Sequence, residues 1–488
     1  MLNLKIPIIL SIAFYSFSLK AQTLTDNSFE ISDTTKTGSK NWQTFNQGYS
    51  ISTDTAISHH GKRSIKIIKT GDAFYDGFFQ VIPYVPKYAQ KLVLTGFIKT
   101  DRPNNNSAGL FIRVQNKNNA ILILKINDSN IKDSPVVNGW TKHSIEIYVP
   151  ENTVKIICGG SLSAEGTAWY DDLDLHAVEI KNKGQSKTAG LYLNEAYSII
   201  KENALRKDSV NLPALLSEAN KIAGNAQVPE DCYDAITFML DGLGDKHSSF
   251  WTPAEARNFE KNENRAAPNI KWPSAVLIND SIGYIVLPYL QSGNKIITRL
   301  YADTLQVQIR KIDSQSNIIG WIVDLRKNLG GTWINMIAAI GPVLGNGISG
   351  YLTDVNGKKM SWGYRDHCAF LHDSCSRIVN NYYDLKKPNP KVAIITGQST
   401  TSAGEVIAIA FRQRPSSKSF GQPTYGVPTL KYIFPMSDSA YITLTVARFS
   451  DRTGIYYGKV LPDVVVESDP ANKNDLALLQ AEDWVIQK

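Results

Sequence analysis

KVAIITGQSTTSAGEVIAIAF, residues 391–411, is the stretch on which the fold turns. Val392 to Ile395 form an apolar run of strand length, a hydroxyl-rich turn follows, and from Ala403 the residues suit a helix. A buried strand delivered to a turn that opens a helix is one unit of a layered α/β domain. The alternation extends in both directions from about residue 270: SAVLIND and GYIVLPYL read as strands, Lys295 to Ile312 as a helix and IIGWIVDLR as a strand. A helix then follows Gly330-Gly331, and YITLTVARFS reads as a late strand. In such sheets chemistry collects where strands end and helices begin.

Five hydroxyl residues occupy the turn: Thr396, Ser399, Thr400, Thr401 and Ser402. Ser402 is best placed as a nucleophile. A Ser at the first turn of a helix is exposed, Ala403 and Gly404 leave room for a substrate carbonyl, and the Ala403 N–H can help hold an oxyanion. Capping the helix is an adequate role for one of the others. Upstream, GWIVDLRKNLGGTWINM (320–336) ends a strand at Asp324 and turns at Gly330 and Gly331. Their bare N–H groups can point at an anion near a helix start, so these glycines either build an oxyanion hole or merely turn the chain. A Ser hydroxyl also needs a base. Of seven histidines, four lie before residue 180 and two beside cysteines, which leaves His247 of LGDKHSSFW. A solvent-facing loop histidine is the competing reading, because geometry defines a base.

The rest of the chain frames this constellation. The opening MLNLKIPIILSIAFYSFSLKAQ places Lys5 ahead of an apolar stretch and Ala21 at a cleavage point, which reads as an export signal over residues 1–21 and predicts a periplasmic or secreted protein. Its apolar stretch is shorter than the roughly 20 residues of a bilayer-spanning helix, and no later segment qualifies. The formal net charge of +7 is dispersed, with no run of five Lys/Arg, which argues against a nucleic-acid partner. Residues 23–180 hold short alternating apolar runs and no convincing helix, the pattern of a β-sandwich. KNKGQSKTAG (181–190) reads as a linker, and residues 187–252 as a small helical unit ending in the His247 loop. Export lets thiols pair, so Cys368 and Cys375 of the loop-like DHCAFLHDSC are expected to form a disulfide; their spacing with His367 and His372 matches no common zinc pattern. Cys158 and Cys232 read as buried free thiols.

Two resemblances add to this reading. NSFE, HGKRSIKI, NGWTKHSIEIYVP and GTAWYDDLDL make the first segment similar to the jelly-roll modules found as carbohydrate-binding domains. The resemblance implies a glycan partner, with Trp42, Tyr75, Phe78, Trp140 and Trp169 as rings able to stack on a sugar or to fill the core, and a structural calcium tying first strand to last through Glu30 and Asp172. LGDKHSSF, DLRKNLGG, TTSAGE, FGQPTYG and VLPDVVVE, in that order, resemble the C-terminal-processing, or tail-specific, serine protease superfamily. That implies a crotonase-like or Clp-protease-like α/β core over residues 268–488, acyl transfer at Ser402, an oxyanion hole from the Gly330 region with Ala403, peptide or protein substrates and no cofactor.

The family's Ser–Lys branch places a lysine after the last glycine of GQPTYG, where this chain has Val427, with Lys431 four residues farther on. His247 instead matches the branch similar to the tricorn core protease and the retinoid-binding-protein repeats. That branch orients its histidine with a Ser and a Glu, whose places here fall at Lys246 and Tyr456; Ser248, Asp245, Glu405 and Asp451 are the alternatives for orienting His247. Only about twenty residues, 253–272, stand where many members insert a PDZ module, so none is expected. A serine esterase acting on acylated glycans and a glycan or peptide binder that has lost catalysis remain open beside the peptidase reading.

Overall fold

The computed structural model describes residues 24–487 apart from the segments 33–38, 40, 46–47, 71–74, 85–89, 102–106, 118, 120, 127–134, 150–152, 164, 180–183, 265–269, 293 and 467–474. The expected export signal lies outside the described residues, as does the start of the linker. The chain forms two compact units, one from Met1–Gly184 with Lys221–Asn225, the other from Gln185–Asn220 with Ala226–Lys488.

The strands of the first unit are β1 (Gln43–Thr44), β2 (Tyr49–Asp54), β3 (Ser64–Lys69), β4 (Asp76–Pro83), β5 (Gln90–Thr100), β6 (Ala108–Gln115), β7 (Ile121–Ile126), β8 (Val136–Val137), β9 (Trp140–Tyr148), β10 (Lys155–Leu162) and β11 (Thr167–Glu179). They pair antiparallel in two sheets of order β1-β4-β10-β6-β7 and β2-β3-β11-β5-β9-β8. Alternation sends Phe78 inward, where it packs edge-on against Phe29, Trp42 and Tyr170 with centroids 5.1–5.6 Å apart. Each such pair adds about 0.5–1.5 kcal/mol beyond area burial. A Cβ on Gly160 would sit 2.6–2.7 Å from the Tyr170 and Phe78 rings, so the strand holds glycine there.

This packing decides the role of four of the five aromatics that the sequence offers to a sugar. Trp42, Phe78, Trp140 and Trp169 are buried and Tyr75 alone is exposed. Glu30 and Asp172, the pair expected to hold a calcium ion, both bond to one turn. Glu30 Oε1 accepts the N–H groups of Lys62 and Arg63, while Asp172 Oδ2 lies 2.7 Å from His59 Nδ1. Both carboxylates therefore anchor the 59–63 turn, and among the described residues no cluster of three or more His, Cys, Asp or Glu fits a metal ion.

The second unit opens with α1 (Lys187–Asn203), which starts inside the expected linker because Ser186 Oγ accepts the Ala189 N–H and caps it. Next come α2 (Leu212–Ile222), whose first turn is held by Asn211 Oδ1 accepting the Ala214 N–H, α3 (Tyr233–Gly242), β12 (Ser249–Trp251) and α4 (Pro253–Asn264). The alternating region then supplies β13 (Ser274–Ile278), β14 (Ile282–Val286), α5 (Lys295–Gln315), β15 (Gly320–Asp324) and α6 (Trp333–Leu344). β16 (Gly347–Asp354), β17 (Lys359–Arg365), β18 (Cys368–Leu371) and β19 (Ser374–Ile378) form a meander. The chain closes with β20 (Lys391–Thr396), α7 (Ala403–Ala410), β21 (Ser417–Gly421), β22 (Thr429–Pro435), β23 (Tyr441–Asp451), β24 (Val464–Val465) and α8 (Leu476–Ile486).

One sheet has the order β13-β14-β15-β20-β21-β24 and is parallel from β14 onward. Alternate residues of its strands, Ile282, Ile322, Ala393, Ile395 and Phe420, meet Ala477, Ala481 and Val485 of α8 in a buried core. The other sheet runs β12-β23-β16-β17-β18-β19, with β22 also on β23. DHCAFLHDSC is thus a hairpin instead of a loop. Its cysteines form the expected disulfide, Cα to Cα 5.9 Å, across β18 and β19. Cys158 and Cys232 are buried free thiols whose pKa values burial pushes up to about 12. Among the described residues no helix is long and apolar enough to cross a membrane.

Candidate active site

The two strand ends of the parallel sheet meet at Ser402. β15 ends at Asp324, whose carboxylate accepts from the Arg326 guanidinium and from Tyr284 OH at 2.7 Å. The turn that follows is built on Asn328, which is fully buried. Its Nδ2 donates to Leu287 O, its Oδ1 accepts the Gly330 N–H at 2.9 Å, and its carbonyl accepts the Thr401 N–H at 3.0 Å. Gly404 stays bare because a Cβ there would lie 2.8–2.9 Å from Asn328. Gly330, at φ +103°, comes so close to the Ser402 turn that a Cβ would sit 2.9 Å from Ser402 Cβ and 3.4 Å from Ala403 N.

Hydrogen bonding sorts the five hydroxyls. Thr396 donates to Gln422 O, Thr400 to Leu325 O and Thr401 to Ser399 O, so three are committed to the main chain. Ser399 and Ser402 have hydroxyls without a partner among the described residues. Ser402 alone sits at the helix start, held at φ +53° and ψ −114°. A residue with a Cβ keeps such a backbone only when its surroundings over-determine it. Glu405, one turn into α7, is the main cause. Its buried carboxylate accepts the Ser402 N–H at 3.0 Å, the Gly426 and Val427 N–H groups at 2.8 Å and the Thr424 hydroxyl. Burial nevertheless holds its carboxyl above the usual range. Ala403 N–H, at the start of α7, and Gly331 N–H have no acceptor among the described residues; the Gly330 N–H is turned onto Asn328.

His247 stands in the loop that follows α3. Asp245 Oδ1 accepts the His247 and Ser248 N–H groups at 2.9 and 2.8 Å, and Asp245 Oδ2 accepts the Ser248 hydroxyl, an Asx turn that fixes the loop. Ser248 Oγ in turn accepts the Thr445 N–H of β23. The helices are moored to the same strands, with Tyr192 and Tyr233 donating to Asp438 between β22 and β23. The imidazole Nδ1 lies 2.7 Å from Thr429 Oγ1, at the start of β22. Burial, then the Lys431 ammonium, lower the His247 pKa to about 4 against the opposing pull of Asp245. Lys431 is itself half-buried, which lowers its own pKa.

Residues 281–466, a strand–turn–helix alternation with both glycine-bearing turns, match the sequence model described as Peptidase family S41. This region is a peptidase family S41 domain. Over 188 residues the chain is 27% identical to carboxyl-terminal-processing peptidase 2, chloroplastic, of Arabidopsis thaliana, covering 37% of this chain and 32% of that one. Over 175 residues it is 26% identical to the nisin-resistance protein of Lactococcus lactis subsp. lactis, covering 36% and 53%. The chain thus spans about a third and about half the length of these curated relatives. A solved lipoprotein structure from Streptococcus agalactiae aligns with TM-score 0.49 at 22% identity, over 63% of this chain and 98% of that one.

Ser402, Gly330, Gly331 and Ala403 fall within the matched residues, whereas His247 lies upstream of them. Among the described residues none of the alternatives expected to orient His247 hydrogen-bonds its ring. Ser248 and Asp245 bond to each other, Glu405 points to the 424–427 loop, and Asp451 accepts from Thr453, Ile455 and Tyr457 within its own turn. Tyr456 is 2.7 Å from Thr353 Oγ1. The residue found on Nδ1, Thr429, carries a faint sequence signal: it stands just past the PTYGVP turn, 182 residues from its partner. Val427, in the place of the family's lysine, is buried with its N–H on Glu405.

Proposed function

We propose that this protein is an exported serine peptidase. His247 Nε2 takes the Ser402 proton as Oγ bonds to the scissile carbonyl carbon, and the N–H groups of Ala403 and Gly331 hold the resulting oxyanion. Collapse breaks the C–N bond, the amine leaves with the proton from His247, and a water activated by the same imidazole hydrolyses the acyl-enzyme. The reading rests on one observation above the others: Ser402 is held at positive φ with an uncommitted hydroxyl, within carbon contact of Gly330. The Ser402 hydroxyl is not bonded to His247 in the substrate-free chain, and such bonds tighten when substrate arrives. The name of the curated carboxyl-terminal-processing relative supports a peptide substrate, and the opening sequence supports export. No glycan is assigned to the first unit, since four of its five expected stacking rings are buried.

Ser402→Ala should abolish hydrolysis of peptide substrates while leaving the unfolding transition in place. Hydrolysis by that variant at the wild-type rate refutes the reading. A wild-type protein that cleaves acyl-sugar esters but not peptides would make it an esterase, and one whose Ser402 resists a fluorophosphonate probe would make it a binder.

A further inference from the structure

The S41 domain brings no carboxylate to the ring of His247, and the loop that would carry a catalytic lysine carries Val427. The same loop ends two residues later at Thr429, whose hydroxyl is 2.7 Å from His247 Nδ1. We propose that Thr429 is the positioning residue of this site, accepting the Nδ1–H of His247 so that the Nε2 lone pair faces Ser402. The inference rests on the serine–histidine reading above and identifies what replaces the acid of a triad.

Three observations carry it. First, Thr429 Oγ1 has no other hydrogen-bond partner among the described residues, so the hydroxyl is spent on this ring. Second, its place is fixed from both sides. Glu405 grips the Gly426 and Val427 N–H groups at 2.8 Å, and the Phe449 N–H donates to Pro428 O at 3.3 Å. The carboxylate that sets the Ser402 backbone therefore also sets the segment that ends at Thr429, which ties nucleophile and base to one anchor. Third, Lys431 follows two residues along β22 and acts on the ring by its charge. An ammonium there disfavours the protonated ring, and a neutral hydroxyl on Nδ1 does not counter it as a carboxylate would, so the resting base stays neutral. The charged groups acting on His247 are Lys431 from β22 and Asp245 from its own loop.

A neutral acceptor orients the ring and selects its tautomer but does not stabilise the imidazolium by charge. The consequence separates Thr429 from a packing residue. Thr429→Val keeps the volume and removes the acceptor, Thr429→Ser keeps the acceptor, and Thr429→Asp adds the missing charge.

The test measures the rate at which a rhodamine-tagged fluorophosphonate labels the full chain across pH, with Ser402→Ala and His247→Ala as controls. Labelling should fall about 10- to 100-fold in Thr429→Val, the cost of a slightly misplaced catalytic group, and stay within about twofold of wild type in Thr429→Ser. In Thr429→Asp the acid limb should move up by about one to three pH units. In ¹⁵N-histidine spectra the His247 signal should show an Nδ1–H tautomer in wild type and Thr429→Ser, and a mixture in Thr429→Val. If Thr429→Val labels at the wild-type rate and Thr429→Asp leaves the acid limb in place, while both controls lose labelling, the Thr429 inference falls and the serine–histidine reading stands. Wild-type labelling of His247→Ala overturns both. Should Thr429→Val fail to fold, the acid limb of Thr429→Asp decides alone.

Discussion

Replacing Gly330 by alanine tests the closeness of the two glycine-bearing turns. The new methyl would lie 2.9 Å from Ser402 Cβ, 3.1 Å from Thr401 O and 3.4 Å from Ala403 N. Carbon atoms pack at about 3.5–4.0 Å, so the first contact must open by about 0.6–1.1 Å. A flexible side chain cannot absorb that displacement, because the atoms met are a Cβ and two main-chain atoms of the nucleophile turn. At φ +103° the alanine is also strained, by on the order of 1–3 kcal/mol. The turn therefore moves, carrying Ser402 Oγ and the Ala403 N–H off the line of the reacting carbonyl. A misplacement of about 1 Å costs about 100-fold in rate, or about 2.7 kcal/mol of barrier. The assay is kcat and KM on a peptide that the wild-type protein cleaves, with urea unfolding in parallel to show a folded variant. We expect kcat to fall about 100-fold with KM changed far less. A folded Gly330→Ala protein with kcat within about twofold of wild type would refute both the contact and the placement of the oxyanion donors beside it.

Two further outcomes follow from the same geometry. Glu405→Gln puts an amide NH₂ where two of four donors point, so it should lower unfolding stability by about 2–5 kcal/mol and slow labelling of Ser402; an unchanged urea midpoint with full activity contradicts the anchoring role. The pH profile of kcat/KM should keep its acid limb near pH 4, well below the ordinary histidine value of about 6.5, because burial and Lys431 disfavour the imidazolium. The sign for stability is the same: the unfolded chain takes up a proton near pH 6.5 that the folded chain refuses until about 4, so His247 removes stability as pH falls through that window. An acid limb near 6.5 contradicts it.

How much of this was legible in the sequence depended on the range over which each residue acts. The parallel sheet declared itself, since apolar strands ending at Asp324 and Thr396 and opening helices at Trp333 and Ala403 are local patterns. The meander β16–β19 did not. GISGYLTD and SCSRI mix glycine and polar residues, and their strand character comes from pairing with neighbours, so DHCAFLHDSC reads as a loop until its register is seen. The aromatics of the first unit show the same limit: which face of a strand Trp169 or Phe78 takes is settled by the opposite sheet. In the candidate site, Ser402, the glycines and His247 are signalled by turn chemistry beside them. The partner of His247 is not, because Thr429 becomes visible only after β22 has paired with β23. Glu405 illustrates a different error. A carboxylate one turn past a nucleophile invites a role on the base, whereas here it supports the main chain.

Glu405 also bears on how this domain can change over generations or be rebuilt by grafting. One carboxylate clamps the start of the helix that follows Ser402 and the segment that runs to Thr429, so residues 402–405 and 424–429 behave as a single cassette. A loop transplanted from a lysine-type relative into positions 424–429 would have to offer Glu405 the same hydroxyl and the same two amides. Without them it would disturb the serine before it had supplied any new base. Covariation between position 405 and the composition of that hairpin is the record such a constraint would leave.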